Sequence, residues 1–223
     1  MVDLGEIQDH YEQALARSGD NGARVGWRNS RAQLLRFEVI WGLLSGSSPR
    51  SVTDVGCGMG DLLTFLRLKG WMGQYCGVDI SPKMITSAVE RLSNDLYATF
   101  ITSIDIPQAD IIIASGIFNV SLQASAGEWM QYCKDLISQM WAASHFGIVF
   151  KMLSTDSEVN LRRPELTYFN PSEWLDFVRS ELSSHVRLDQ TYGQFDFSLA
   201  VFRTSFAESL PKLQGTGCQT DVG

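Results

Sequence analysis

Two places in this chain carry residue types whose spacing could do chemistry. The first is Val52-Thr53-Asp54-Val55-Gly56-Cys57-Gly58-Met59-Gly60-Asp61, a buried strand, a glycine-dense turn and a helix start. Glycine lacks a Cβ and tolerates positive φ, so Gly56, Gly58 and Gly60 let the backbone pass close beneath a ligand. The helix that follows offers unpaired N–H groups. The second place, about 20 residues later, is Val78-Asp79-Ile80 at the end of a second strand, where an acidic residue accepts hydrogen bonds from ribose hydroxyls. A dinucleotide fingerprint has the form G-x-G-x-x-G. Here the third glycine falls one position early and Asp61 stands in its place. An aspartate there would repel a pyrophosphate but would tolerate a sulfonium or an ammonium. The pattern therefore suits a nucleoside without a pyrophosphate.

Positioning such a site takes alternating strands and helices. Ser30 to Gly46 reads as one helix, N-capped by Ser30, with Leu34, Phe37, Trp41 and Leu44 on one face. Strands follow at Ser51–Val55, Gln74–Ile80, Thr99–Ser103, Asp110–Ser115 and Gly147–Leu153. The run Ile111-Ile112-Ile113-Ala114 is continuous enough for a central parallel strand. Helices are expected through Leu62–Leu68, from Ser81-Pro82, over Glu128–Ala143 and over Pro171–Glu181, the last with an Asn170-Pro171-Ser172-Glu173 capping box. Val186–Tyr192 and Phe195–Arg203 read as a hairpin across Gly193 and Gln194. Such alternation gives a parallel sheet with helices on both faces, the hairpin adding an antiparallel strand. Ligands in such sheets sit outside the carboxyl ends of the strands, where the glycine turn falls.

Bulk properties narrow the classes. The 223 residues suit one domain with a sizeable core, and 44% hydrophobic against 19% charged residues is an ordinary globular balance. A net charge of -7 disfavours a nucleic-acid partner. No apolar run reaches membrane-spanning length and the N-terminus shows no signal-peptide pattern, so no membrane association and a cytoplasmic location are expected. Cys57, Cys76, Cys133 and Cys218 lack CxxC spacing and read as reduced thiols, with no metal site expected.

On these residues the chain resembles the class I S-adenosylmethionine-dependent methyltransferases over about Ser51 to Arg203. The matching motifs are Asp54-Val55-Gly56-Cys57-Gly58-Met59-Gly60, Gly77-Val78-Asp79-Ile80-Ser81, Asp110-Ile111-Ile112-Ile113-Ala114-Ser115-Gly116 and the reversed last strand at Phe195–Arg203. The resemblance implies an α/β, Rossmann-like, seven-stranded, mostly parallel sheet under an N-terminal helical lid. It divides the chain into a lid segment (1–48), a cofactor-binding core (49–206) and a loose tail (207–223). S-adenosylmethionine is the implied cofactor. Gly56, Cys57, Gly58 and Gly60 would line its methionine and ribose portion. Asp79 would hold both ribose hydroxyls and Ile80 would pack on the adenine. Asp54 or Asp61 would lie near the amino or sulfonium group. Asp105 and Ile106 would sit by the adenine amino group, Asp105 in the place of an acidic residue usually found slightly earlier, where this chain has Ile104. Ser115 and Gly116 would border the cofactor.

Methyl transfer from a sulfonium is an in-line displacement, so the protein chiefly aligns the acceptor and excludes water. The implied activity is transfer to an O or N atom of a small molecule. The two prolines that follow the fourth strand in relatives acting on nucleobase or glutamine nitrogen are replaced here by Gly116 and Ile117. Candidate catalytic residues are His10, Tyr11 and Asn119. Candidate substrate contacts are Trp27, Arg28, Phe118, Asn119, Arg162 and Tyr168. A monomer or homodimer is expected. A nicotinamide-dependent oxidoreductase and a non-catalytic nucleoside-binding protein are the alternatives.

Overall fold

The computed structural model describes residues 2–15, 30–191 and 195–204. In chain order the elements are α1 (Leu4–Leu15), α2 (Ser30–Leu43), β1 (Ser51–Val55), α3 (Asp61–Leu68), β2 (Gln74–Asp79), α4 (Pro82–Leu92), β3 (Ala98–Thr102), β4 (Ala109–Ser115), α5 (Ala126–Ala143), β5 (Ser144–Leu153), α6 (Pro171–Glu181), β6 (His185–Asp189) and β7 (Asp196–Phe202). They form one seven-stranded sheet in the order β3-β2-β1-β4-β5-β7-β6. The first five strands run parallel, and β7 inserts antiparallel to both β5 and β6. The chain reverses across the sheet between β3 and β4, so the carboxyl ends of β1 and β4 diverge at a crevice.

Side-chain alternation along the strands builds a core on each face. In β4, Ile112 and Ala114 join Trp129, Ile137 and Met140 of α5, whereas Ile111 and Ile113 join Ile40 of α2 and Leu63 and Leu66 of α3. Ile111, Ile112 and Ile113 are fully buried, worth about 1.5–3 kcal/mol each in transfer free energy. Helix starts follow local chemistry: Ser81 Oγ accepts from Met84 N, with Pro82 in the first turn of α4.

Several expected boundaries move. α5 starts two residues early, at Ala126, because Ser125 and Glu128 make a reciprocal capping box. At α6 Asn170 caps through Ser172 N alone. β5 begins at Ser144, directly after α5. The β6–β7 connection spans residues 190–195 in place of two residues, because the strands pair from Asp189 opposite Ser198. Leu34 is 48% exposed, since the buried face of α2 runs through Phe37, Ile40 and Leu43. The expected tail, 207–223, lies outside the described residues.

Candidate active site

A cavity of about 310 Å³ opens at the carboxyl ends of β1, β2 and β4, a size in the range of small-molecule sites. Its floor is the turn from β1 into α3. Gly56 N–H and Cys57 N–H both donate to Val78 O, at 2.8 and 3.0 Å, which fastens the turn to β2. Gly56 has φ +72°, and a Cβ there would stand 2.1 Å from Ile117 Cγ2, so the loop after β4 presses directly on it. Gly58 N–H donates to Asp79 Oδ2 at 2.9 Å, and Ser81 N–H donates to Asp79 Oδ1 at 2.9 Å. A carboxylate offers about four acceptor positions, so Asp79 keeps capacity toward the cavity.

Of the expected cofactor residues, Asp54, Gly56, Cys57, Gly58, Asp79, Ile80, Asp105, Ser115 and Gly116 all line this cavity. Two others do not. Gly60 (φ +79°) turns away, and a Cβ on it would meet Leu92 Cδ1 at 2.5 Å and the Phe100 ring, so it serves helix packing. Ile106 packs against the α5-side core. Asp105 lies at the exposed mouth, its N–H donating to Ser103 Oγ at 2.9 Å, with Ile104 beside it on the same wall.

The electrostatics of the lining are one-sided. Asp54, Asp61, Asp79, Asp105 and Asp135 face the cavity, and no Lys, Arg or His is among its described lining residues. Asp54 is 3% exposed and accepts from Tyr75 OH at 2.6 Å. Burial, then the charges of Asp79 and Asp61, push its pKa up to about 7 against the pull of that hydrogen bond. Burial also raises the pKa of Asp79, although three backbone N–H groups favour its charged form. Asp61 is held by Arg91 Nη2 at 2.7 Å and by Gln33 Nε2 at 3.3 Å. Such a cavity attracts a cation and repels a pyrophosphate, which counts against a nicotinamide dinucleotide.

Helices α1, α2 and α5 supply the walls, through Leu4, Ile7, Gln8 and Tyr11, through Gln33 and Phe37, and through Trp129, Tyr132 and Leu136. Tyr132 stacks on Trp129 at 5.1 Å between ring centroids. Sequence reasoning names Tyr11 as a candidate, places Phe37, Trp129 and Leu136 on apolar faces, and passes over Leu4, Ile7, Gln8, Gln33 and Tyr132. The spacing of Trp129, Tyr132 and Leu136 puts all three on one helical face, which was the available signal.

The expected catalytic and substrate residues scatter. Tyr11 reaches the cavity and its OH donates to Gly116 O at 3.2 Å; burial first, then Asp79, raise its pKa, so it stays a hydrogen-bond donor. His10 lies off the cavity, edge-on to Tyr11 at 5.3 Å. Phe118 is fully buried between α5 and β5, 6.1 Å from the Phe150 ring centroid, and is not a stacking surface. Asn119 Oδ1 accepts from Leu153 N at 3.1 Å, which ties the loop after β4 to β5. Arg162 donates to Thr155 O and Ser157 O and lies over the Tyr168 ring, while Tyr168 OH accepts from Arg163 N. Arg162 and Tyr168 thus brace the loop after β5 and do not line the cavity. Trp27 and Arg28 lie outside the described residues.

Comparison with known proteins meets this geometry. Residues 47–201 match the family model described as a methyltransferase domain. Rv1506c of Mycobacterium tuberculosis (strain ATCC 25618 / H37Rv), provisionally named a methyltransferase, is 34% identical over 164 residues, 73% of this chain and 99% of its own length. Among solved structures, magnesium protoporphyrin IX methyltransferase from Synechocystis PCC 6803 with bound S-adenosylhomocysteine superposes with a TM-score of 0.65 at 16% identity, covering 91% of this chain and 100% of that one. The N-methyltransferase NodS from Bradyrhizobium japonicum WM9 gives a TM-score of 0.58 at 17% identity over 87% and 96% of the two chains. The chain belongs to the methyltransferase-domain family and is a class I S-adenosylmethionine-dependent methyltransferase.

Proposed function

We propose that the cavity at the carboxyl ends of β1, β2 and β4 is the S-adenosylmethionine site, and that the methyl acceptor is an uncharged or cationic small molecule taking the methyl on O or N. The observation that carries this reading is the lining: five aspartates, aromatic walls, and no basic side chain among the described lining residues. The residues fit the cofactor. Asp79 keeps acceptor capacity for ribose hydroxyls, the buried Ser115 Oγ has no hydrogen-bond partner among the described residues, and Asp54 and Asp61 offer negative charge to a sulfonium or ammonium. Ile80 and Ile117 supply apolar surface for a flat base.

Bound S-adenosylmethionine supplies an activated methyl group on a sulfonium. The protein's task is then alignment and exclusion of water. Ser115 and Gly116 border the reacting end. Tyr11 remains protonated; with its proton donated to Gly116 O, its oxygen lone pairs are left to accept a hydrogen bond from the O–H or N–H of the acceptor and orient it. Residues 1–48 serve as a lid over a core spanning 49–206. In the described part of that lid, α1 is latched across the cavity by Tyr11 to Gly116 O, by Ser81 Oγ to Glu12 at 2.9 Å and by Glu12 to Lys83 at 2.7 Å. Among the described residues no helix is long and apolar enough to cross a membrane.

The test is turnover. Purified protein and S-adenosylmethionine are given matched acceptors on one aromatic scaffold bearing hydroxyl, amine or carboxylate groups, and S-adenosylhomocysteine release is measured. Release with the uncharged or amine compounds is expected. Release confined to the carboxylates would overturn the acceptor class.

A further inference from the structure

A buried charge cluster lies on the α2 side of the sheet, apart from the cavity lining. Lys151 in β5 is fully buried, and its Nζ lies 2.7 Å from Asp196 Oδ2 at the start of β7. Arg36 of α2, 7% exposed, donates from Nε to the same Asp196 oxygen and from Nη1 to Ala32 O at 2.8 Å. Burying such charges is costly unless they are paired. Their location gives a reason for keeping them. Gln33 and Phe37 stand three residues before and one after Arg36, and both line the cavity. Gln33 also holds Asp61 at 3.3 Å. The rest of α2 is seated by Phe37, Val39, Ile40 and Leu43 in an apolar core, whose contacts are non-directional and fix rotation and height less sharply than an ion pair does. The other end of α2 is pinned by Arg187, which donates to Leu43 O at 3.0 Å. Lys151 is the register partner of Ser115, a residue of the cavity lining, so these two side chains lie on the same face of the sheet.

We infer that Arg36 is a positioning residue for cofactor binding: its ion pair with Asp196, backed by Lys151, locks α2 in the one rotation and height that set Gln33 and Phe37 as a wall of the cavity. This rests on the assignment of the cavity as the cofactor site. The side chain acts through the helix and touches no cofactor.

The test uses Arg36→Met, which leaves Asp196 paired with Lys151 and so avoids stranding a buried charge, with Arg36→Lys as the conservative variant and Arg187→Met as the control at the far end of α2. Each full-length protein is titrated with S-adenosylhomocysteine by calorimetry, and amide exchange over residues 31–43 is measured without ligand. R36M is expected to bind about tenfold more weakly, with faster exchange confined to residues 31–38. R36K is expected to recover part of the affinity and R187M to match the wild type in affinity. A folded R36M, or a folded R36K if R36M does not fold, with wild-type affinity and wild-type exchange would overturn the inference. Absence of binding by the folded wild type would instead overturn the cofactor-site assignment, and the exchange pattern would still decide whether Arg36 fixes α2.

Discussion

Asp79 and Gly58 close the glycine turn onto the second strand: the Gly58 N–H donates to Asp79 Oδ2 at 2.9 Å. The residue proposed to bind ribose is thus also the residue that shapes the turn, while Ser81 N–H holds its other oxygen. Each oxygen is oriented by backbone before any ligand arrives, so little ordering remains to be done on binding.

Asp54 makes ligand affinity depend on pH. Its pKa in the folded chain is about 7 against an ordinary 3.8, because of burial and neighbouring carboxylates. Between these values the folded chain holds a proton that the unfolded chain has released. Its contribution to stability is therefore present at low pH and falls as pH rises through 7. A cationic ligand group prefers the ionised form, so S-adenosylhomocysteine, whose ammonium persists, is expected to bind more tightly as pH rises from 6 to 8. Asp54→Asn should flatten that dependence in calorimetry. Tyr75→Phe, which removes the hydrogen bond favouring the carboxylate, should move the midpoint upward.

The α1 latch predicts ligand exchange rates. Tyr11→Phe loses the hydrogen bond to Gly116 O, a contribution of about 1 kcal/mol. Stopped-flow measurement should show S-adenosylhomocysteine leaving several-fold faster, with α1 amides exchanging sooner. Glu12 is held below the usual carboxylate range by Lys83, Ser81 and Gln8. The latch is therefore complete above the ordinary glutamate pKa and is lost as pH falls through the lowered value, a dependence that Glu12→Gln should abolish.

The buried cluster predicts opposite outcomes for two substitutions. Lys151 is pushed down to about 8 from 10.5, chiefly by burial and against the pull of Asp196. Below pH 8 the folded state carries the full cost of the buried ammonium. Between 8 and 10.5 the unfolded chain binds more protons, so the Lys151 contribution improves with rising pH. Lys151→Met leaves Arg36 with Asp196 and is expected to be neutral or stabilising at pH 7. Asp196→Asn removes the negative charge shared by two buried cations and should cost roughly 3–5 kcal/mol, a fall in Tm on the order of 10 °C. Thermal melts at pH 7 and pH 9.5 read both effects.

Much of this was legible in the chain. Ile111-Ile112-Ile113-Ala114 reads as a central strand buried on both faces, and the glycine turn with Asp79 located the crevice. What escaped was orientation over single residues. Past Ser115 the chain leaves the strand, so Gly116 and Ile117 border the cavity while Phe118 and Asn119 turn into the core. Gly60 looked equivalent to Gly56 and Gly58, but it caps α3 and yields to Leu92 and Phe100. Arg162 and Tyr168 had the chemistry of a substrate wall, and only the tertiary path of the loop after β5 shows them engaged with each other. Lys151 inside Ile148-Val149-Phe150-Lys151-Met152-Leu153 was a visible anomaly whose partner, Asp196, lies 45 residues away.

The most direct test of the cofactor-site assignment is calorimetry with S-adenosylhomocysteine on the wild type and on Asp79→Asn, with melts to show that both are folded. The geometry predicts one site on the wild type and a loss of about 100-fold or more in D79N, as two hydrogen bonds to a charged acceptor are weakened. A folded wild type that does not bind, or a D79N variant that binds as tightly as the wild type, would contradict it.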